Sequence, residues 1–369
     1  MDFPARVATG IPGLDRVLGG GLTESGLYLI EGAAGAGKTI FGAQVGFHRA
    51  REGAKVLFVS LLSESHGKLL QHLRGLSFFD EALLGSRFTV LSGYDALARG
   101  GLDGLLQFIT AAARELRPAL LVIDGFRSVR SLAASEAALA RFTHELNSLG
   151  TALRCVTLLL APLEGNVTRP EHTLVDGLLE LGRYTSGMRV ARELQVHKLR
   201  GADPILGKHI FRITGDGLAV IPRLESLTMR HAAAPAASGE RLKFGIGQLD
   251  AMLRGGLLGG GTTALIGAPG AGKTLLALKF LEEGLRLRQN AVYFGFYESP
   301  ERRLGKAEGI GLRLAGAARE GTLQMVWQPP LEYLLDELGE RQLGAQRATQ
   351  ARRVAIDGNE GFKQAAKRP

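Results

Sequence analysis

Two stretches of the chain combine glycine, lysine and threonine in a spacing that suits phosphate binding. Residues 32–39 and 267–274 both match G-x-x-x-x-G-K-[ST]. In such a loop, small residues let consecutive backbone N–H groups surround an anion, and the lysine places an ammonium on the outer phosphates of ATP. The predicted ATP-binding residues are Ala34, Gly35, Ala36, Gly37, Lys38 and Thr39 in the first loop and Gly270, Ala271, Gly272, Lys273 and Thr274 in the second.

Two aspartates that end apolar runs have the chemistry to hold a magnesium ion. The runs are residues 119–124 and 353–357, and their final acids lie 86 and 84 residues after the loop lysines (124 − 38 and 357 − 273). A strand-end carboxylate and the loop threonine hydroxyl together suit Mg²⁺ that bridges nucleotide phosphates. The predicted metal-binding residues are therefore Thr39, Asp124, Thr274 and Asp357.

ATP hydrolysis also requires a group that orients the attacking water. Glu64 and Glu298 follow the second predicted strand of each repeat, 26 and 25 residues after the loop lysines (64 − 38 and 298 − 273). At the carboxyl end of a parallel sheet they would lie near the ligand. We predict that they are catalytic, although a solvated loop glutamate would give the same pattern.

The upstream residues also repeat, which indicates a duplicated domain. The segment 10–22 returns at 245–257 with the same glycine, leucine and aspartate positions, offset by 235 residues (273 − 38) like the loops. We predict a first domain over 1–227, an Ala/Pro/Ser-rich linker over 228–240 and a second domain over 241–369 that is incomplete at its carboxyl end. The second sheet would then have an open edge and exposed apolar surface.

Hydrophobic periodicity predicts alternating strands and helices, and hence an α/β fold with a mostly parallel sheet between helices. After residue 170 the pattern changes to strands alone, which predicts antiparallel strands at the edge of the sheet. In the first domain the predicted strands are 27–30, 55–62, 87–91, 119–124, 153–160, 174–183, 188–199 and a hairpin over 210–221, and the predicted helices are 39–51, 65–74, 102–116 and 133–149.

Composition limits the class of protein. The 369 residues carry a formal net charge of +9, but the basic residues are dispersed, which favours a solvated surface over a nucleic-acid groove. The single cysteine, Cys155, precedes an apolar run and is predicted to lie in the core of a protein from a reducing compartment. Without a signal peptide or a membrane-spanning run, the prediction is a cytoplasmic protein that does not bind membranes.

Several segments together resemble the KaiC family of tandem RecA-type ATPases. They are the two phosphate loops, the opening at 9–15, the glycines at 19–22 and His197-Lys198-Leu199-Arg200-Gly201. The resemblance implies a RecA-like P-loop fold duplicated in tandem and hexameric rings with ATP between subunits. It also implies that Lys198 and Arg200 reach the neighbour's γ-phosphate. Family members usually carry two adjacent glutamates where this chain has Ser63-Glu64 and Tyr297-Glu298.

The resulting hypothesis is a Mg²⁺-dependent ATPase that acts in signalling through ring assembly. One alternative is a RecA-type DNA recombination or repair accessory factor, although the loop 162–172 has one arginine against two glutamates and no aromatic residue. Another is a non-hydrolysing, ATP-dependent scaffold, with serine/threonine autokinase activity as in family members. The residues do not identify a signalling partner.

Overall fold

The computed structural model describes residues 5–62, 66–164, 169–186, 189–229, 239–329, 333–358 and 360–366. The chain divides into two compact units, Met1–Leu227 and Thr228–Pro369, and each is described by itself. Across these ranges, no helix combines the length and the apolar character needed to cross a membrane.

A nine-stranded sheet forms the centre of the first unit, in the order β11-β10-β9-β8-β3-β7-β6-β4-β5. The six strands from β8 to β5 in this order run parallel, whereas β9, β10 and β11 are antiparallel. This arrangement confirms the predicted α/β fold with a mostly parallel sheet. The strands are β1 (Arg6–Val7), β2 (Leu22–Thr23), β3 (Leu27–Gly32), β4 (Val56–Ser60), β5 (Phe88–Ser92), β6 (Leu120–Asp124), β7 (Val156–Pro162), β8 (Gly177–Ser186), β9 (Arg189–Leu199), β10 (Lys208–Thr214) and β11 (Gly217–Ile221).

Helices cover both faces of this sheet because the strands are apolar on both sides. Tyr28 and Ile30 pack into one core with the buried side of α2, and the alternating Leu27 and Leu29 pack into a second core with α4 and α6. The helices are α1 (Leu14–Val17), α2 (Lys38–Arg51), α3 (His66–Leu73), α4 (Tyr94–Leu116), α5 (Phe126–Leu132), α6 (Glu136–Leu153), α7 (Pro170–Leu174) and α8 (Leu224–Met229).

The first unit differs from the sequence predictions in three places. Helix α4 begins at Tyr94 instead of residue 102, with a non-helical break at Gly101 (φ 58°, ψ −151°), because glycine permits that conformation. Strand β8 pairs in parallel with β3, so the antiparallel part of the sheet begins one strand later than expected. The short helices α5 and α7 were not predicted, since neither is long enough to show a clear period.

The second unit contains a smaller parallel sheet in the order β15-β14-β16, matching β5-β4-β6 of the first unit. Its strands are β12 (Arg241–Leu242), β13 (Leu257–Leu258), β14 (Ala291–Gly295), β15 (Leu323–Trp327) and β16 (Arg353–Asp357). Its helices are α9 (Gly247–Met252), α10 (Lys273–Arg286), α11 (Pro300–Gly309), α12 (Ala315–Glu320), α13 (Leu335–Thr349) and α14 (Glu360–Ala366).

The segment before the second phosphate loop lies at the open side of this small sheet. Residues 262–267 form no strand, and Ile266 is 95% exposed. In the first unit the equivalent strand β3 is held between β7 and β8. Within the described part of the second unit, no strand pairs with this segment or with the outer side of β16. The expected open edge is therefore present.

A buried arginine ties helix α5 to the strand that leads into the first phosphate loop. Arg130 contacts Glu31 Oε1 through Nη2 at 2.6 Å and Glu171 Oε1 through Nε at 2.7 Å. Its third nitrogen, Nη1, donates to the carbonyl of Pro162 at 2.9 Å. All three charged side chains are at most 5% exposed, so the cation and the two carboxylates must compensate one another.

Replacing Arg130 with methionine should strongly destabilise the chain, because both carboxylates would stay buried without a counter-charge. We expect Arg130→Met to lower the free energy of unfolding by about 3–5 kcal/mol. The control Arg141→Met breaks an exposed pair with Asp103 and should cost less than about 1 kcal/mol. Urea unfolding followed by circular dichroism measures both, and equal losses would contradict the compensation argument.

Cys155 lies in the second core and is 2% exposed, and burial raises the pKa of its thiol to about 12. Because only the thiolate is nucleophilic, about one thiol in ten thousand is reactive at pH 8. Ellman's reagent should therefore label the native chain very slowly and label one thiol at once in urea. Rapid labelling in native buffer would show that the thiol is accessible.

Candidate nucleotide-binding sites

The first phosphate loop joins β3 to α2 at the carboxyl edge of the sheet. Gly35 (φ 73°) and Gly37 (φ 104°) take left-handed conformations that other residues adopt only under strain. A β-carbon on Gly37 would also lie 2.5 Å from Ile213 of β10. The loop is closed by a hydrogen bond from the amide of Ala36 to the carbonyl of Ala33, at 3.1 Å. Its shape therefore requires glycine at two of its positions.

Lys38, the first residue of α2, holds its ammonium against this loop. Its Nζ donates to the carbonyls of Gly32 and Ala33 at 2.7 and 3.0 Å. Desolvation lowers the pKa of Lys38, and the charge of Asp124 opposes that effect. The ammonium, the loop amides and the amino end of α2 therefore place positive charge at one point, as an anion site requires.

Thr39 and Asp124 meet across the carboxyl edge of the sheet. The hydroxyl of Thr39 donates to Asp124 Oδ2 at 2.7 Å. Asp124 ends β6 and is 4% exposed, and burial raises the pKa of its carboxyl against the opposing effects of the Thr39 hydrogen bond and the Lys38 charge. A buried carboxylate beside a hydroxyl is a set of oxygen atoms that Mg²⁺ accepts, so these residues fit a divalent cation.

The second phosphate loop repeats the shape of the first. Gly270 and Gly272 have φ angles of 82° and 84°, and the amide of Ala271 donates to the carbonyl of Ala268 at 3.2 Å. Lys273 Nζ donates to two loop carbonyls at 2.7 and 2.8 Å. The segment that precedes the loop is exposed, but the loop itself has the same backbone turn and the same lysine contacts.

The acid of the second site is more crowded than that of the first. Asp357 Oδ2 accepts hydrogen bonds from the hydroxyls of Thr274 at 2.9 Å and Tyr293 at 2.6 Å. Arg303 Nη2 forms an ion pair with the same oxygen at 3.1 Å. The structure thus brings Thr274 and Asp357 together as expected, but these contacts do not fit a magnesium ion.

The two predicted catalytic glutamates differ in what can be said of them. Glu298 forms ion pairs with Arg303, at 3.3 Å, and with Lys306. The hydrogen bond from Lys306 holds the pKa of Glu298 below its ordinary value. Glu64 lies outside the described residues, so its role stays a prediction from sequence position.

Lys198 and Arg200 lie at the opposite edge of the sheet from the first phosphate loop. Lys198 Nζ donates to the carbonyls of His172 and Thr173 at 3.1 and 2.8 Å, and Arg200 donates to the same Thr173 carbonyl at 3.2 Å. Leu199, between them, pairs with Gly177 at the start of β8, four residues before the position that pairs with Gly32. This places the two basic residues about 13 Å from the loop edge along the strands.

Sequence reasoning missed three residues that shape these sites: Arg130, Tyr293 and Arg303. Each acts through contacts with residues distant in sequence, and none belongs to a short motif. A residue-by-residue comparison of the two repeats would have indicated Tyr293 and Arg303, because the first repeat has apolar residues at the equivalent positions.

Comparison with known proteins agrees with this geometry. The sequence profile of the KaiC ATPase family matches residues 7–225 and 242–368, one stretch in each unit. The chain is 28% identical to the circadian clock oscillator protein KaiC of Picosynechococcus sp. over 340 residues, which are 88% of this chain and 64% of the relative. It is 27% identical to KaiC of Rippkaea orientalis, with the same coverage of each chain.

The circadian clock protein KaiC2 of Synechocystis sp. is 27% identical over 89% of this chain and 59% of its own length. The chain thus spans less than two thirds of the length of these relatives. The family profile nevertheless covers nearly all of both units, and each unit contains the phosphate loop and the strand-end aspartate. The chain therefore belongs to the KaiC family of P-loop ATPases.

Proposed function

We propose that the chain binds ATP with Mg²⁺ in its first unit and hydrolyses it at the interfaces of a hexameric ring. The observation that carries the proposal is the first site, where the loop backbone, Lys38, Thr39 and Asp124 converge on one edge of the sheet. The relatives named as circadian clock proteins support a regulatory role for a cytoplasmic ring.

Each residue of the site has a defined task in this proposal. The loop amides and Lys38 bind the β- and γ-phosphates, while Thr39 and Asp124 hold the cation, which supplies charge neutralisation when bound. Glu64 orients the attacking water from the loop after β4. Hydrolysis then requires one more positive group that stabilises the charge developing on the γ-phosphoryl group.

Lys198 and Arg200 supply that group from the neighbouring subunit. Their position at the far edge of the sheet prevents them from reaching the phosphate loop of their own unit. A basic pair that faces away from its own site is suited to a site on another subunit, and an arginine contributed in this way couples turnover to assembly. This reasoning supports a ring in which hydrolysis depends on subunit contact.

Nucleotide binding should depend on Lys38. We expect Lys38→Ala to weaken ATP binding at the first site roughly 10- to 150-fold, since charged hydrogen bonds contribute about 1.5–3 kcal/mol. Titration with a fluorescent ATP analogue in a Lys273→Ala background isolates that site. Lys55→Ala, an exposed lysine at the far end of β4, should leave affinity unchanged. A chain that binds no nucleotide at either loop would contradict the proposal.

Action across an interface can be tested by mixing variants. Lys38→Ala subunits have a defective loop but an intact Arg200, whereas Arg200→Ala subunits have the reverse. Each alone should turn over ATP slowly, and rings copurified after coexpression with two tags should recover part of the wild-type rate. Arg114→Ala, an exposed arginine on α4, is the matched control and should keep full activity. Mixed rings no faster than the two variants apart would indicate that Arg200 acts within its own subunit.

A further inference from the structure

The two sites share a phosphate loop and a threonine–aspartate contact but differ in what surrounds the aspartate. In the first unit Phe58 of β4 lies opposite Val122, two residues before Asp124 on β6. In the second unit Tyr293 occupies the same register on β14, opposite the residue two before Asp357 on β16. Phe58 has no polar group, so only the second site has a hydroxyl at this point.

Tyr293 is fitted to Asp357 by its neighbours on the strand. Its hydroxyl donates to Asp357 Oδ2 at 2.6 Å, although the residue is 2% exposed. The ring has room because residue 295 is glycine: a β-carbon there would lie 2.8 Å from Cε1 of the tyrosine. The first unit has Ser60 at that register position. The tyrosine and the glycine together therefore direct a donor at the acid.

Arg303 of α11 contacts both acids of the second site. It forms ion pairs with Asp357 Oδ2 at 3.1 Å and Glu298 Oε2 at 3.3 Å, and its guanidinium lies 5.6 Å from the centre of the Tyr293 ring. Its side chain is only 15% exposed, so water screens these contacts weakly. Five residues after Glu64, the first unit has Leu69, which packs partly buried against the apolar core.

These contacts leave little room for a cation at the second acid. A carboxylate oxygen has about two lone-pair sites, and Oδ2 of Asp357 already faces two hydroxyl donors and a guanidinium. No guanidinium or phenol contacts Asp124 among the residues described for the first unit. Arg303 also places a fixed positive charge beside the point where a divalent cation would bind, and like charges repel.

The predicted base of the second site is similarly engaged. Glu298 is paired with both Arg303 and Lys306, and the hydrogen bond from Lys306 lowers its pKa. A carboxylate with a lowered pKa accepts a proton from water less readily, since general bases work best with a pKa near the operating pH. The site is thus poorly arranged for hydrolysis, while its phosphate loop keeps the shape of the first.

We propose that Arg303 takes the place of the divalent cation in the second site, which therefore binds a nucleoside triphosphate without Mg²⁺ and keeps it unhydrolysed. The inference rests on the proposed function only in requiring that the phosphate loops bind nucleotide. Charge compensation of Asp357 and of the phosphates comes from a side chain that is always protonated. The first unit then carries out the Mg²⁺-dependent hydrolysis.

The test isolates the second site in a Lys38→Ala background of the full chain. A fluorescent ATP analogue is titrated with Mg²⁺ or with EDTA, and Mn²⁺ binding is followed by electron paramagnetic resonance in the presence of nucleotide. We expect affinity to be the same with and without the cation, and Mn²⁺ to stay free. In Lys273→Ala, which isolates the first site, EDTA should weaken binding and Mn²⁺ should be bound.

Arg303→Leu installs the residue found at the equivalent point of the first unit. It should raise Mn²⁺ affinity at the second site about tenfold or more, as expected for removal of a charged contact of 1.5–3 kcal/mol, and make nucleotide binding cation-dependent. Tyr293→Phe, which installs the equivalent of Phe58, should shift Mn²⁺ affinity in the same direction. Arg302→Leu, an exposed arginine on the same helix, is the matched control and should change neither quantity.

The outcomes separate this inference from the proposed function. Mn²⁺ bound at the wild-type second site as tightly as at the first, or no effect of Arg303→Leu, would overturn the inference and leave the first site intact. Nucleotide binding at the first loop but not at the second would overturn it as well. Loss of nucleotide binding at both loops would instead contradict the proposed function.

Discussion

The site of the first unit depends on one contact, the hydrogen bond between the Thr39 hydroxyl and the Asp124 carboxylate, whose residues are 85 positions apart. That contact forms because β3 and β6 run parallel in the same sheet, separated by β7, so that both end at the same edge. An antiparallel strand at either place would carry its side chain to the other edge. The direction of the strands therefore decides whether the loop and the acid can share a cation.

The same constraint separates the two kinds of basic residue in the first unit. Lys38 follows β3 and lies at the carboxyl edge, whereas Lys198 ends a strand that runs the other way and lies at the amino edge. Helix α7 spans the distance between them: Glu171 pairs with Arg130 beside the loop strand, and the carbonyl of Thr173 accepts from Lys198. A buried ion pair thus positions the backbone that holds the outward-facing lysine.

The two units show how far a shared motif can be separated from shared chemistry. Their phosphate loops have the same turn and the same lysine contacts, which is what binding a phosphate requires. The acids beyond them have different surroundings: Asp124 is met by a hydroxyl, whereas Asp357 is also met by Tyr293 and Arg303. Binding depends on the loop backbone, but catalysis depends on the electrostatics of side chains that the motif does not include.

The sequence by itself determined the features that local patterns encode. The glycine spacing defined both loops, alternating apolar runs predicted most strands and helices of the first unit, and the acid ending such a run identified Asp124. Only the tertiary structure showed that β8 is parallel to β3, that Arg130 is buried between two glutamates, and that Arg303 reaches Asp357. Local patterns report which face of an element is apolar. Pairing across a sheet and compensation of a buried charge depend on residues far apart in sequence, which only the fold brings together.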